Sequence, residues 1–545
     1  MRQSATCDGR SPHGRPSLAQ RIGLLNGLRR RLGEGAARFV EEYRSVHPVD
    51  PRGPWAVEPW GLQVVMAQTA RVLERVLRKV EAGHPPVKRT WIRRRDDGRL
   101  AVRVFPMTWD ERLLLSDYRA QAWLSPEVTV DEVIDAAPAT YGDSPRPGGV
   151  TLLLAAGNAA NLLVSDLLHL MFEQGCVVAV KMSPVLAFLR PHMETVFADF
   201  ISGGWLRFVD ESLEAGSYLA HHPGVDRLHM TGSAATHDAL VWGTVDQAER
   251  KRSGSRLLDK PFTAELGGVT PVIVVPGPWS AADIRRQADL ITFAKLFNCG
   301  HICGAAQVLV LPEGWPQGDA LINEVRAFMR GLEPRPPYYP GTAAKVANVL
   351  SGHAEAEALQ EQSRRILVEN VDPAAETSIF SEEVFSDVLA VVRLPARNLR
   401  SYLDGAVEFV NGRLYGDLSA NVLVDPATAK REAGLLDALI AGLSTGTVGV
   451  NEWAIMGSIL GSAPWGGFPG NTPTDIGSGI GKVLNPLCLP MPEKSVLTGN
   501  FRPLMKPPRS VESRTAMTTY RRLLEYLTTD DPRRIPGVAL AAARG

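Results

Sequence analysis

Cysteine is scarce: Cys7, Cys176, Cys299, Cys303 and Cys488 are the five in 545 residues. An odd, thinly spread set excludes a disulfide-stapled secreted fold and makes a reducing cytoplasm the expected compartment. Charge of one sign is missing too, because 59 basic residues balance 59 acidic ones. That balance gives no electrostatic reason for a nucleic-acid or anionic-membrane partner. Long hydrophobic runs are absent as well. The longest apolar stretch, 150–172, is broken by Gly157, Asn158, Asn161, Asp166 and His169, which are costly in hydrocarbon, so no membrane span is expected. Residues 1–17 carry Arg2, Arg10 and Arg15 without an apolar core, which argues against a secretory signal and for a disordered tail. There is no Gly-x-Gly-x-x-Gly, and Cys299, His301 and Cys303 lack the second ligand pair of a zinc site, so no metal is expected.

What is present is α/β grammar. Ile22, Leu25, Leu28, Leu32, Ala36 and Phe39 recur at helical spacing, and so do Leu62, Val65, Thr69, Val72, Val76 and Val80. The segment 91–106 alternates like strands around an Asp96-Asp97-Gly98 hairpin turn. Short apolar runs at 150–155, 177–180, 205–209 and 227–230 alternate with helical stretches, which predicts a parallel sheet covered on both faces. Ligands of such sheets bind beyond the carboxyl ends of the strands, where Asn158, Lys181 and Gly232 fall. The pattern restarts with a run at 272–275 and a helix over 281–296. A strand over 388–392 and a final helix over 509–527 follow.

Two features carry chemistry. Phe297-Asn298-Cys299-Gly300-His301-Ile302-Cys303-Gly304 offers thiols, and Glu265-Leu266-Gly267-Gly268 offers a carboxylate upstream. A thiol attacks carbonyl carbon well at neutral pH, and a neighbouring carboxylate can accept its proton or activate water. Taken alone, Cys299 competes with Cys303, and either is equally readable as an inert buried thiol.

In order along residues 150–490, these motifs resemble the aldehyde dehydrogenase superfamily, with some similarity to its acyl-CoA reductase branch. The resemblance implies a Rossmann-type cofactor domain, an α/β catalytic domain and a small β oligomerisation element. The units expected are a tail at 1–17, N-terminal helices and the dinucleotide-binding domain at 18–260, and the thiol domain at 261–450. The return segment, the oligomerisation element and the C-terminal helix would occupy 451–545. It further implies Cys303 as nucleophile, Glu265 as general base and Asn158 as an oxyanion donor. NAD or NADP would be held by Lys181, Ser183, Gly232, Ser233, Gly267, Glu383 and Phe385. Departures from the family pattern stand at Pro184, His237, Val269, His301, Gln307 and Ser386-Asp387, and Pro464-Trp465-Gly466-Gly467 replaces Pro-Phe-Gly-Gly. Pro184 removes a carboxylate that would repel a 2′-phosphate, which leaves NADP open. The reaction implied is oxidation of a small-molecule aldehyde to an acid by a homodimer or homotetramer. An acyl thioester as substrate, or a silent nucleotide-binding protein, are the alternatives.

Overall fold

The helix Leu18–Val46 opens on a capping box: the Ser17 hydroxyl accepts the Gln20 N–H while the Gln20 side chain takes the Ser17 N–H. Such a cap contributes about 1 kcal/mol. Its apolar stripe is buried against the helix Glu58–Glu81, and Arg29 ties the two together through Glu74 at 2.6 Å. Arg29 also donates to the Leu527 carbonyl of the helix Ala516–Thr529, so the N-terminal helices and a C-terminal one share one layer. The computed structural model describes residues 16–142, 148–360 and 365–545. The expected tail therefore lies outside the described residues up to 15, whereas Ser17 belongs to the first helix.

Among the described residues there are two sheets. The smaller has six strands in the order Gly479–Ile480, Phe262–Leu266, Arg227–Gly232, Val150–Leu154, Val177–Lys181 and Leu206–Phe208. All are parallel except the short Gly479–Ile480, which pairs antiparallel with Phe262–Leu266. The larger has eleven strands, with Thr270–Val274, Ala306–Pro312 and Val388–Leu394 adjacent near its middle. Those central strands are almost wholly buried, as strands covered on both faces must be.

Sheet membership cuts across the units expected from sequence. Phe262–Leu266, just beyond position 260, belongs to the smaller sheet, between Arg227–Gly232 and Gly479–Ile480. The strands Ile92–Arg94, Leu100–Phe105 and Arg119–Leu124 form a meander that joins the larger sheet instead. The junction is Pro492–Thr498, parallel to Thr447–Val450 on one side and antiparallel to Arg119–Leu124 on the other. The helix expected over 509–527 begins instead at Ala516 and runs to Thr529, and a further helix, Ile535–Ala543, follows it; Arg509 lies ahead of the helix, where it pairs with Glu452.

Candidate active site

The helix Ala281–Leu296, started by a capping box between Ser280 and Asp283, ends in an unusual turn. Asn298, Cys299 and Gly300 are consecutive left-handed residues, with φ of 54°, 55° and 71°. For a residue with a Cβ that conformation costs roughly 1–2 kcal/mol, and a dense set of hydrogen bonds opposes the cost. The Asn298 N–H donates to Glu58 at 2.8 Å, and its amide donates to the Asn158 carbonyl at 2.8 Å. The Tyr338 hydroxyl donates to the Asn298 Oδ1 at 2.9 Å. Glycine is needed at 300, since a Cβ there would lie 2.5 Å from the Ser386 carbonyl.

This turn separates the two thiols. Cys299 is buried, its Sγ faces the Pro336 carbonyl at 3.9 Å, and burial pushes the thiol up to about 12. Cys303 is only partly buried and lines an apolar cavity of about 80 Å³ together with Phe293, Phe297, Trp453, Ile455 and Trp465. Its thiol lies against the Glu265 carboxylate. Burial, and then the negative charges of Glu265 and Glu383, hold it well above the usual thiol range, opposed by the Gly304 N–H.

Glu265 is the penultimate residue of the strand Phe262–Leu266 and is 3% exposed. The Trp465 Nε1 donates to its Oε1 at 2.9 Å, whereas Oε2 has no hydrogen-bond partner of good geometry. Burial raises the carboxyl to about 7, with Asp166 adding to the rise, while the indole and the Cys303 thiol pull the other way. A carboxyl that ionises near neutrality is suited to proton transfer. Asn158 follows the strand Val150–Leu154, is buried, borders the same cavity and donates its Nδ2 to the His301 carbonyl at 2.9 Å.

The departures from the resemblance have structural partners. His301 is fully buried; its Nδ1 donates to the Phe385 carbonyl at 2.7 Å, and its Nε2 receives the Tyr339 N–H at 3.4 Å. Burial lowers the imidazole to about 4, so it is neutral and stitches three loops together. Gln307 donates to the Ile379 and Glu382 carbonyls at 2.7 and 2.8 Å and accepts the Val384 N–H at 2.9 Å. It thereby fixes the segment that bears Glu383. His237 is buried in the first turn of the helix Ala234–Trp242, beside Asp238 and the Phe262 ring.

The residues expected to hold a dinucleotide fall into two groups. Lys181 ends one strand of the smaller sheet with Ser183 just beyond it, and Gly232 ends another with Ser233 next, the Ser233 hydroxyl capping the helix Ala234–Trp242. On the larger sheet's side, Glu383 packs so closely on Gly267 that a Cβ at 267 would lie 2.1 Å from its Oε1. Burial raises the Glu383 carboxyl to about 8, with Lys345 and Lys295 opposing, and its Oε1 has no partner. Phe385 takes φ of 55° and stands edge-on to the Tyr339 ring.

Sequence reasoning missed Trp465 as the hydrogen-bond donor to Glu265, and it missed the Tyr338-Tyr339 pair that braces the thiol turn. Neither has a local signal: both partners are far away along the chain. Among the described residues no cluster of His, Cys, Asp and Glu is arranged to hold a metal ion, and no helix is long and apolar enough to cross a membrane.

The chain resembles known proteins in sequence and in fold. A peroxisomal aminoaldehyde dehydrogenase 1 from Pisum sativum is 25% identical over 347 residues, covering 59% of this chain and 62% of that protein, so the match spans about three-fifths of the relative's length. Two solved structures share the fold. An NAD-dependent aldehyde dehydrogenase from Sinorhizobium meliloti has a TM-score of 0.58 and 20% identity, over 92% of this chain and 85% of that one. An NADP-dependent glyceraldehyde-3-phosphate dehydrogenase from Bacillus halodurans, complexed with NADP, has a TM-score of 0.58 and 18% identity, over 89% and 87%. Residues 131–472, more than half of the chain, match the family model described as "Aldehyde dehydrogenase family", and with the fold and the site in hand the chain belongs to that family.

Proposed function

We propose that this protein oxidises an aldehyde to a carboxylic acid with NAD or NADP, through a thiohemiacetal and a thioester on Cys303. The observation that carries this reading is the contact between the Cys303 thiol and the Glu265 carboxylate at the wall of an apolar cavity that Asn158 also borders. The Glu265 carboxylate takes the Sγ proton, and Sγ bonds to the aldehyde carbon. Asn158 Nδ2 has two hydrogens; one serves the His301 carbonyl and the other is available to the oxyanion. A donor of this kind contributes about 3–4 kcal/mol to the transition state. Loss of the carbonyl hydrogen with its electron pair leaves the thioester. Once Glu265 has passed that first proton to solvent it removes a proton from water, the oxygen adds to the acyl carbon, the C–S bond breaks with Cys303 leaving as thiolate, and the acid departs.

The residues present fit a dinucleotide. Glu383 keeps a buried, unpartnered oxygen suited to a hydroxyl donor, and Ser233 stands at a helix N-terminus suited to phosphate. Lys181 and Ser183 would lie towards the adenosine end, with Gly267 and Phe385 beside Glu383. The cofactor supplies the two-electron acceptor. One fold neighbour is named NAD-dependent and another is solved with NADP, and Pro184 repels neither. A homodimer or homotetramer is part of the same reading.

The test is reduction of NAD+ and NADP+ across aldehydes by the parent and by Cys303→Ala. Turnover should vanish in the variant while folding and cofactor binding persist; full activity without the thiol would overturn the mechanism. Product analysis with coenzyme A present separates hydrolysis from thioester exchange.

A further inference from the structure

A second apolar cavity, about 110 Å³, lies between the helix Glu58–Glu81 and the helix Ala516–Thr529. Leu114, Leu115, Leu523 and Leu527 are among its walls. It adjoins the thiol cavity, and Val64, Met456, Ile459, Arg509 and Tyr520 form the wall the two share. Met456 and Ile459, partly exposed at this shared wall, are side chains that rotate without losing a hydrogen bond.

We propose that this second cavity receives the unbranched alkyl tail of the substrate, so that the site selects medium-chain aliphatic aldehydes. The inference rests on the dehydrogenase reading for the identity of the head group, and on the shared walls for the tail. Each cavity alone is smaller than the ~150 Å³ apolar void that takes benzene, whereas the two in series have room for roughly six to eight carbons.

The charges around the second cavity are already engaged, which excludes a carboxylate or phosphate as the group bound there. Arg509 pairs with Glu452 at 2.5 Å. Arg71 pairs with Asp110 at 2.8 Å and with Asp530 at 2.6 Å, and the Tyr526 hydroxyl donates to Asp110 at 2.7 Å. Gln68 donates to the Leu460 carbonyl. A neutral chain, which asks for no polar partner, is the ligand that these walls fit. The aldehyde carbon would then lie at Cys303 with successive methylenes passing Met456 and Ile459.

The experiment is a series of n-alkanals from propanal to decanal, assayed as kcat/KM on the parent and on Leu523→Trp, which fills the second cavity and touches none of the catalytic groups. In the parent kcat/KM should climb about fourfold per methylene until the cavities fill, then level off. Leu523→Trp should keep propanal within about twofold and lose the climb. Leu115→Phe provides a milder filling if the first variant folds poorly. A parent series flat beyond butanal, or a variant that weakens short and long substrates equally, overturns the proposal.

A second readout does not depend on turnover: protection of Cys303 from iodoacetamide by 1-octanol against 1-butanol, followed by mass spectrometry. Octanol should protect at lower concentration, and Leu523→Trp should abolish the difference. Should no aldehyde be oxidised while octanol still protects preferentially, the activity fails and the tail cavity stands. Equal protection by both alcohols overturns the cavity whatever the activity.

Discussion

Replacing Trp465 with Phe, the residue the family pattern places there, isolates the hydrogen bond to Glu265. The indole N–H lies 2.9 Å from Oε1 and donates best to the ionised carboxylate. It therefore holds the carboxyl down while burial holds it up, and the balance stands near 7. A hydrogen bond to a charged group contributes about 1.5–3 kcal/mol net. At about 1.4 kcal/mol per pH unit, its loss should carry the ionisation upward by roughly one to two pH units. The sign follows because the neutral acid loses less than the carboxylate does. At pH 7 the ionised fraction should then fall from about a half to between about a tenth and a hundredth. Steps that need Glu265 as base should slow by about 5- to 50-fold at pH 7 and recover as the pH rises past 9. The assay is release of acid from pre-formed acyl-Cys303 in single-turnover mode between pH 5.5 and 9.5, so that cofactor release does not mask the step. An unmoved midpoint with a uniformly lower rate would refute the reasoning and leave Trp465 as a packing residue.

Two further substitutions test the scaffold around Glu383. Gly267→Ala places a Cβ 2.1 Å from the Glu383 oxygen and should displace that carboxylate, weakening NAD(P) binding by tenfold or more in titration calorimetry with little change in the folded state; unchanged binding would separate Glu383 from the cofactor. Gln307→Leu removes two donors and one acceptor from the Ile379, Glu382 and Val384 backbone groups. At roughly 1–3 kcal/mol per buried group left unpaired, the urea midpoint should fall clearly, and an unaltered midpoint would show that water replaces the amide.

Local structure was legible wherever period and punctuation agreed. The helix Ala281–Leu296 has the expected bounds, and the Asp96-Asp97-Gly98 turn joins two antiparallel strands. The runs at 150–155, 177–180 and 227–230 become the parallel strands Val150–Leu154, Val177–Lys181 and Arg227–Gly232. In the folded chain Cys303 and Asn158, which the motif order had grouped with Glu265, line one cavity, and the Cys303 thiol lies against Glu265. What stayed hidden depends on pairing between distant segments. Nothing in 92–124 announces that these strands dock on Pro492–Thr498, because a half-buried strand carries the same alternation whichever neighbour it finds. Arg509 read as the start of a helix, yet it is a buried cation paired with Glu452; an arginine in sequence looks the same whether water or a carboxylate receives it.

The position of Pro492–Thr498 has a consequence for biogenesis. That strand is the only partner of Arg119–Leu124 on its open side among the described residues, and it is made long after the meander has left the ribosome. Until it arrives, the growing chain presents an unpaired strand edge at 119–124 and another at Thr447–Val450, the situation in which nascent sheets are most exposed to mispairing and to chaperone capture. Completion of the sheet that supports the thiol is thus a late event in synthesis, and the nascent protein should gain activity only when its C-terminal strand has threaded between the two edges waiting for it.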